Sequence, residues 1–379
     1  MSSANLVKII IPEVDVTAWM GGKLYYENLK KTVEEFFPNI SFVTYDARFK
    51  PGVETGIKAR IARKIKGVNY IDALHQNAKE YFNGLTGNCK SVIFSNHSIT
   101  YTGGVPYLFW IPDFQFLHLP EFAEPEYIER QKKLASSGAA QATAVLLSSN
   151  DARQDFLNFV PEYSNKARVV SFVKSIDKRY LQNSPELVAK KYHLPNSFFY
   201  VPNQFWKHKN HLLVLKALVV LKQQGVVPFV VFSGNCNDFR NPDYFSELLN
   251  YTNTNGIREQ VAFLGMIPYE DVIALIRQSV AVINPSLFEG WSTTVEEVKS
   301  IGKRMLLSDL SVHREQFSDN DAFFAVSDPA ELAEKMKTFL SLVPGPDQER
   351  ENMAEVATVS RRRIFAEQFV AIINDLIAL

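Results

Sequence analysis

Short apolar runs separated by segments of helical period recur along most of the chain, and this alternation confines it to a parallel α/β layout. Val7 to Ile11, Ile40 to Tyr45, Ser91 to Ser95, Leu108 to Ile111, Ala144 to Ser148 and Ala167 to Val173 read as strands, with helices such as Tyr25 to Phe36 and Tyr70 to Asn83 between them. Phe198 to Val201, Pro228 to Ser233, Val261 to Leu264, Val280 to Asn284 and Met305 to Ser308 repeat the layout, each followed by a turn or helix signal. A length of 379 residues is long for one core and comfortable for two. Two doubly wound domains are therefore expected. The polar segment Lys174 to Pro185 has neither period and marks the boundary, giving domains over residues 1–175 and 186–346 and a helical segment over 347–379. Ligands of open α/β sheets bind beyond the carboxyl ends of the strands, so the strand-end loops are where chemistry is sought.

One such loop stands out. Pro285 ends the strand that closes at Asn284, and a helix begins near Thr294, so the amides of Gly290, Trp291, Ser292 and Thr293 lie at a helix N-terminus. Unpaired donors and partial positive charge at that end suit a diphosphate. Glu289 stands on one side of these amides and Glu297, about a turn into the helix, on the other. Glu289 is positioned for hydroxyls of a group carried by the diphosphate, and Glu297 for a ribose diol.

Glu289, seven residues, Glu297, preceded by Asn284-Pro285-Ser286 and followed by the small turn Ser300 to Gly302 and the segment Ser308 to Glu315 (SDLSVHRE), closely resembles the family-4 retaining glycosyltransferases of GT-B fold, the glycosyl transferases group 1. The resemblance implies an α/β GT-B architecture of two Rossmann-like domains facing across a cleft, with segment 347–379 crossing back to the first. It further implies transfer of a sugar from a nucleotide-diphosphate sugar to an acceptor hydroxyl with the anomeric configuration kept, without metal or other cofactor.

Further residues take roles from the same resemblance. The family carries an arginine and a lysine on the phosphates at the turn after Phe198 to Val201; Lys209 matches the lysine, while Gln204 occupies the arginine's place. Glutamine donates a hydrogen bond but no charge, so part of the electrostatic task falls to Lys207, His208 or Lys209. Gly21 and Gly22, with Lys23 behind them, stand where the family has a glycine-rich loop near donor and acceptor. Asp113 aligns with the aspartate of a His-Asp pair whose histidine is here Pro112, and His118 follows five residues on. Ser233-Gly234 resembles a glycine turn facing the nucleotide, and Gly265 with Met266 follows the strand expected to hold the base. Ser148, Ser149 and Asn150 read as the cap of the helix Ala152 to Phe159.

Composition removes other classes. Forty-one basic and 41 acidic residues leave no net charge to draw the chain to nucleic acid. The two cysteines, Cys89 and Cys236, lie far apart without metal-ligand spacing, which argues against a disulfide framework or zinc and for a reducing cytoplasm. No segment has the apolar length of a membrane span, and MSSANLVKIIIPEV runs into the first strand without the marks of a signal peptide. The stretch Ile57 to Lys66 (IKARIARKIK) sets isoleucines at every fourth position among basic residues, the pattern of a basic amphipathic helix. Such a helix suits peripheral contact with an anionic inner membrane face carrying a lipid-linked acceptor. No Asp-x-Asp pattern is present at a candidate metal turn, and no G-x-G-x-x-G follows the first strand, which disfavours a Rossmann dehydrogenase. The expected function is a hexosyl-type transfer in bacterial surface polysaccharide or lipopolysaccharide assembly. The alternatives are a nucleotide-sugar epimerase on the same architecture or a non-catalytic scaffold that binds a partner.

Overall fold

The computed structural model describes residues 6–13, 20–48, 70–87, 89–319 and 322–378. The basic stretch Ile57 to Lys66 lies outside these residues. The chain divides into two compact units, one of Met1–Phe114, Glu129–Phe172 and Arg362–Leu379, the other of Gln115–Ile128 and Val173–Arg361.

The first unit holds a six-stranded sheet of β1 (Val7–Pro12), β2 (Ile40–Tyr45), β3 (Lys90–Ser95), β4 (Tyr107–Ile111), β5 (Ala144–Leu147) and β6 (Ala167–Val169), in the order β2-β1-β3-β4-β5-β6. Every pairing is parallel, for example Val7 with Ile40 and with Lys90. All five residues of β4 and all four of β5 are buried, as expected of strands covered by crossover helices on both faces. Tyr25, from the helix Met20–Phe36, stacks on Trp110 of β4 with centroids 3.9 Å apart, and the indole Nε1–H donates to Ser148 Oγ at 3.3 Å. Phe369 of the last helix packs edge-on against Phe94 of β3, and Arg362 pairs with Glu35 at 2.6 Å.

The second sheet contains β7 (Phe199–Val201), β8 (Val230–Phe232), β9 (Val261–Phe263), β10 (Val282–Asn284), β11 (Met305–Ser308) and β12 (Phe323–Phe324), ordered β12-β11-β10-β7-β8-β9 and again wholly parallel. Counted from its own first strand this is the doubly wound order in which the chain winds outward one way, returns, and winds outward the other way. Its reversal falls between β7 and β10, where Tyr200 pairs with Val282. Leu213, Leu218, Leu332 and Met336, from helices His211–Gln223 and Pro329–Phe339, are buried against one face of this sheet.

Several boundaries differ from expectation. Residues 115–128 cluster with the second unit although the sequence places residues 1–175 together; Arg240 donates to Gln115 Oε1 at 3.2 Å and Lys207 lies over the Phe122 ring, so side-chain contacts outweigh chain order. The last helix, Gln348–Ala378, is divided rather than assigned whole: Arg361 pairs with Glu296 of the second unit and its neighbour Arg362 with Glu35 of the first. β6 stops at Val169, short of Val173, because its one partner, β5, ends at Leu147. Helix Met20–Phe36 starts early and takes Gly21 and Gly22 into its first turn instead of leaving them in a loop.

Candidate functional site

Strands β7 and β10 are neighbours whose connections leave in opposite directions, so the loops at their carboxyl ends part and leave a crevice. Residues 202–210 form one wall. They include a 3-10 turn over Lys207–Lys209 and end at Asn210 in the left-handed region (φ +55°), a conformation that asparagine tolerates better than most side chains. Residues 285–292 form the other wall. The Leu287 amide donates to the His208 carbonyl at 2.8 Å and joins the two.

Across this junction Lys209 Nζ donates to Glu289 Oε1 at 2.7 Å, with the side chains only 15% and 9% exposed. Ser286 Oγ lies 2.7 Å from the same carboxylate oxygen and 2.9 Å from Asn284 Oδ1, while Asn284 Nδ2 donates to Ser292 Oγ at 2.9 Å. Burial by itself would raise the Glu289 carboxyl pKa; the Lys209 ammonium and the Ser286 hydroxyl oppose it, and the group is held below its ordinary value. Glu289 is therefore an ionised, fixed acceptor at neutral pH. His313 is fully buried behind it, its Nδ1 2.8 Å from the Ser308 carbonyl. That contact assigns the proton to Nδ1 and leaves Nε2 an acceptor with no partner among the described residues. Burial lowers the His313 pKa although Glu289 pulls the other way, so the ring is neutral.

Helix Thr293–Ile301 is capped by Ser292, whose Oγ accepts from the Val295 amide, and closed by Gly302 at φ +73°. Gly290 and Thr293 stand at its start as expected, and so does Trp291. Ser292 departs from expectation: its amide already donates to Gln316 Oε1 at 2.9 Å while Gln316 Nε2 returns a bond to the Ser292 carbonyl at 3.0 Å. It shapes the turn and is not an open donor. Glu297 receives the Tyr269 hydroxyl at 2.6 Å; burial raises its pKa, with Tyr269 and Lys174 opposing. Its neighbour Glu296, passed over in the sequence, is fully buried between Lys299 and Arg361 and braces the helix.

The loops after β8 and β9 abut this region. Gly234 has φ +149°, and a Cβ there would sit 2.4 Å from the Asn203 carbonyl oxygen and 2.8 Å from Gln204 Cα. Only glycine allows that approach. Its amide donates to the Gly265 carbonyl at 2.9 Å, and Phe205 N donates to Asn235 O at 2.9 Å, so Gln204, Gly234 and Gly265 come from three adjoining strand ends. Met266 beyond them is 74% exposed. His118 stacks on Phe288, centroids 5.0 Å apart, beside Glu289 in the chain. Asp113, Gly21 and Gly22 belong to the first unit, Asp113 just beyond β4, and Lys23 makes an i,i+4 pair with Glu27 at 3.5 Å.

Asp238 and Arg240 carry no motif and escape the sequence reading. Asp238 is 1% exposed and accepts the Lys207 amide at 3.0 Å; Arg240 extends from it toward His208. The signal available was indirect: strands joined by one crossover helix are commonly neighbours, so the loop after Val230–Phe232 belongs beside the loop after Phe199–Val201. A separate cavity of about 580 Å³ opens at the other ends of the strands, among Arg277, Lys303, Arg304 and Arg350, and shares none of these residues. Among the described residues no cluster of three His, Cys, Asp or Glu side chains is placed to hold a metal ion, and no helix is long and apolar enough to cross a membrane. Cys89 and Cys236 are both free.

Residues 188–359 match the family model described as glycosyl transferases group 1. Comparison with curated protein sequences finds no match. Among solved structures, a glycosyltransferase from Rickettsia africae is similar over 98% of both chains at 14% identity and a TM-score of 0.66. HepE of Anabaena, solved in complex with UDP and glucose, is similar over 98% of both chains at 16% identity and a TM-score of 0.61. Sucrose-phosphate synthase from Thermosynechococcus elongatus is similar over 98% of this chain and 99% of its own, at 13% identity and a TM-score of 0.62. The chain thus has the GT-B fold, and its residues 188–359 match the glycosyl transferases group 1.

Proposed function

We propose that the crevice at β7 and β10 binds a nucleotide-diphosphate sugar and that the protein is a retaining, metal-independent transferase of its sugar to an acceptor hydroxyl. The observation that carries this reading is the buried Lys209–Glu289 pair at the reversal of the strand order. Lys209 and the amides of Gly290 and Thr293 offset the charge of the leaving diphosphate, and ionised Glu289 accepts hydroxyls of the transferred sugar. Glu297 takes the ribose diol, and the main chain at Met266 meets the base. The anomeric carbon loses its bond to the phosphate oxygen, which keeps both electrons; the acceptor oxygen bonds that carbon, and its proton passes to the departing phosphate. His118 serves the outer side of the donor, and Asp113, Gly21 and Gly22 of the first unit serve the acceptor.

The acceptor is a glycan or lipid-linked glycan, and the role is assembly of surface polysaccharide at the cytoplasmic membrane face; the basic, isoleucine-striped sequence Ile57 to Lys66 supports that placement. Uridine diphosphate is the first nucleotide to test, because the Anabaena relative is solved with UDP and glucose. Calorimetric titration with UDP, GDP and dTDP, followed by donor-hydrolysis assays across their sugars, tests the reading. Binding of one nucleotide with turnover of its sugar supports it. Binding without turnover favours a scaffold, and binding of none removes the donor site.

A further inference from the structure

The donor-site reading leaves a deficit: Gln204 brings no charge to the turn that faces a diphosphate, and Lys209 shares its charge with Glu289. We propose that Arg240, from the loop after the neighbouring strand, supplies the second positive charge to the donor's diphosphate. The proposal rests on the reading of the crevice as a nucleotide-sugar site.

Strand order explains how Arg240 arrives. β8 lies beside β7, and the close contact of Gly234 with Asn203 and Gln204 presses the loop after β8 against the loop after β7. The buried Asp238 carboxylate then ties them: it accepts the amides of Lys207 at 3.0 Å and Arg240 at 3.1 Å, Asn241 Nδ2 at 3.3 Å and Arg240 Nε at 3.4 Å. The guanidinium lies over the Trp206 ring, 5.3 Å from its centroid, with one terminal nitrogen 3.5 Å from His208 Nδ1 and the other donating to Gln115 Oε1. It thus reaches the residue that adjoins Lys209 in sequence. Burial, Lys209 and Arg240 together keep His208 uncharged, so its ring accepts and does not add a repelling cation.

Asp238 pairs with Arg240 Nε at 3.4 Å and offsets part of its charge, as Glu289 does for Lys209, while the two terminal nitrogens lie against the uncharged Gln115 and His208 side chains. A guanidinium has five N–H groups, and three are used in these contacts, leaving part of the fork for an anion. The side chain is 13% exposed and its guanidinium is held by Asp238, Gln115 and His208. A planar fork fixed in this way recognises phosphate oxygens in pairs, which Lys209 cannot do. The competing role is a brace holding Gln115, and the test separates the two.

Calorimetry with UDP and UMP on the full chain is the measurement. Arg240→Gln is expected to weaken UDP by about tenfold to a hundredfold, the worth of a charged hydrogen bond, and to leave UMP within about twofold. Gln204→Arg added to Arg240→Gln is expected to restore most of the UDP affinity, because the charge returns from the other loop. Arg240→Lys, which keeps the charge without the fork, is expected to lie between, and Arg240→Met, which also removes the charge, serves if the glutamine variant fails to fold. Unchanged UDP affinity in Arg240→Gln or Arg240→Met, equal loss for UDP and UMP, or the same loss in Gln115→Ala would overturn the proposal. Failure of the unsubstituted protein to bind any nucleoside diphosphate would instead bring down the donor-site reading, and this inference with it.

Discussion

Lys209 and Glu289, eighty positions apart in the chain, meet at 2.7 Å with most of both side chains out of solvent. Removing either partner therefore has two effects. Lys209→Ala and Glu289→Ala should each reduce sugar transfer by about 10²–10³, the scale for loss of a preorganised charge in a site. Each also leaves a buried charge unpaired, at a cost of about 3–5 kcal/mol, so both should unfold at lower urea. The double variant Lys209→Met/Glu289→Gln should regain much of that stability and none of the activity. Transfer assays and urea titrations on the three variants check this, and wild-type turnover in either single variant would sink the catalytic assignment.

Ser286 should set the acid limit of the proposed activity. Its hydroxyl, 2.7 Å from Glu289, is one of the groups holding that carboxyl below its ordinary range. Ser286→Ala should let the Glu289 pKa rise, so that activity is lost on acidification starting from a higher pH. A pH profile of kcat/KM reads the shift. An unmoved acid limb in a folded variant would mean that Glu289 ionisation does not limit the reaction.

The second unit should lose stability in mild acid. His211 is fully buried, stacked on Phe205, with its Nε2 3.3 Å from the Asn203 carbonyl; burial drives its pKa from 6.5 to about 3. The unfolded chain takes up this proton below about pH 6.5 and the folded chain does not. The stabilisation is thus full above that pH and fades as pH falls toward 3. At pH 5 the loss from this group alone is about 2 kcal/mol. His208 and His313, both with lowered pKa, act in the same direction. Urea midpoints at pH 7.5 and 5 measure the loss, and His211→Phe should flatten it. Equal slopes for variant and parent would remove His211 from the account.

Gly234→Ala should disturb the turn at Asn203 and Gln204 without touching a charged group. The added methyl meets two backbone atoms, the Asn203 oxygen and Gln204 Cα, and the φ of +149° is unfavourable to alanine. A loss of about 1–3 kcal/mol in stability is expected from such overpacking, together with weaker nucleoside-diphosphate binding. Denaturation and calorimetry measure the two, and unchanged values in both would show that this approach of loops is not needed.

Much of the fold was legible because strand and helix periods are local. Ile40–Tyr45 and Met305–Ser308 match their expected bounds end to end, and Thr293–Ile301 begins one residue early. β12 escaped notice since Phe323–Phe324 is too short to show any period. Gly21 and Gly22 read as a loop because glycine disfavours helices, yet both lie in the first turn of one, and tertiary packing of that helix overrides the preference. The amide of Ser292 looked open because Gln316, its partner, is 24 residues away.

By itself the sequence determined two α/β units and the local order of strand, polar turn, Glu289 and capped helix, since periodicity and capping depend on residues a few positions apart. Only the tertiary structure decided that Lys209 reaches Glu289, that Arg240 reaches His208, and that residues 115–128 side with the second unit. Those relations follow from which strands lie side by side in the sheet. Neighbouring β7 with β10 on one side and β8 on the other joins three loops distant in sequence, and no local period encodes that choice.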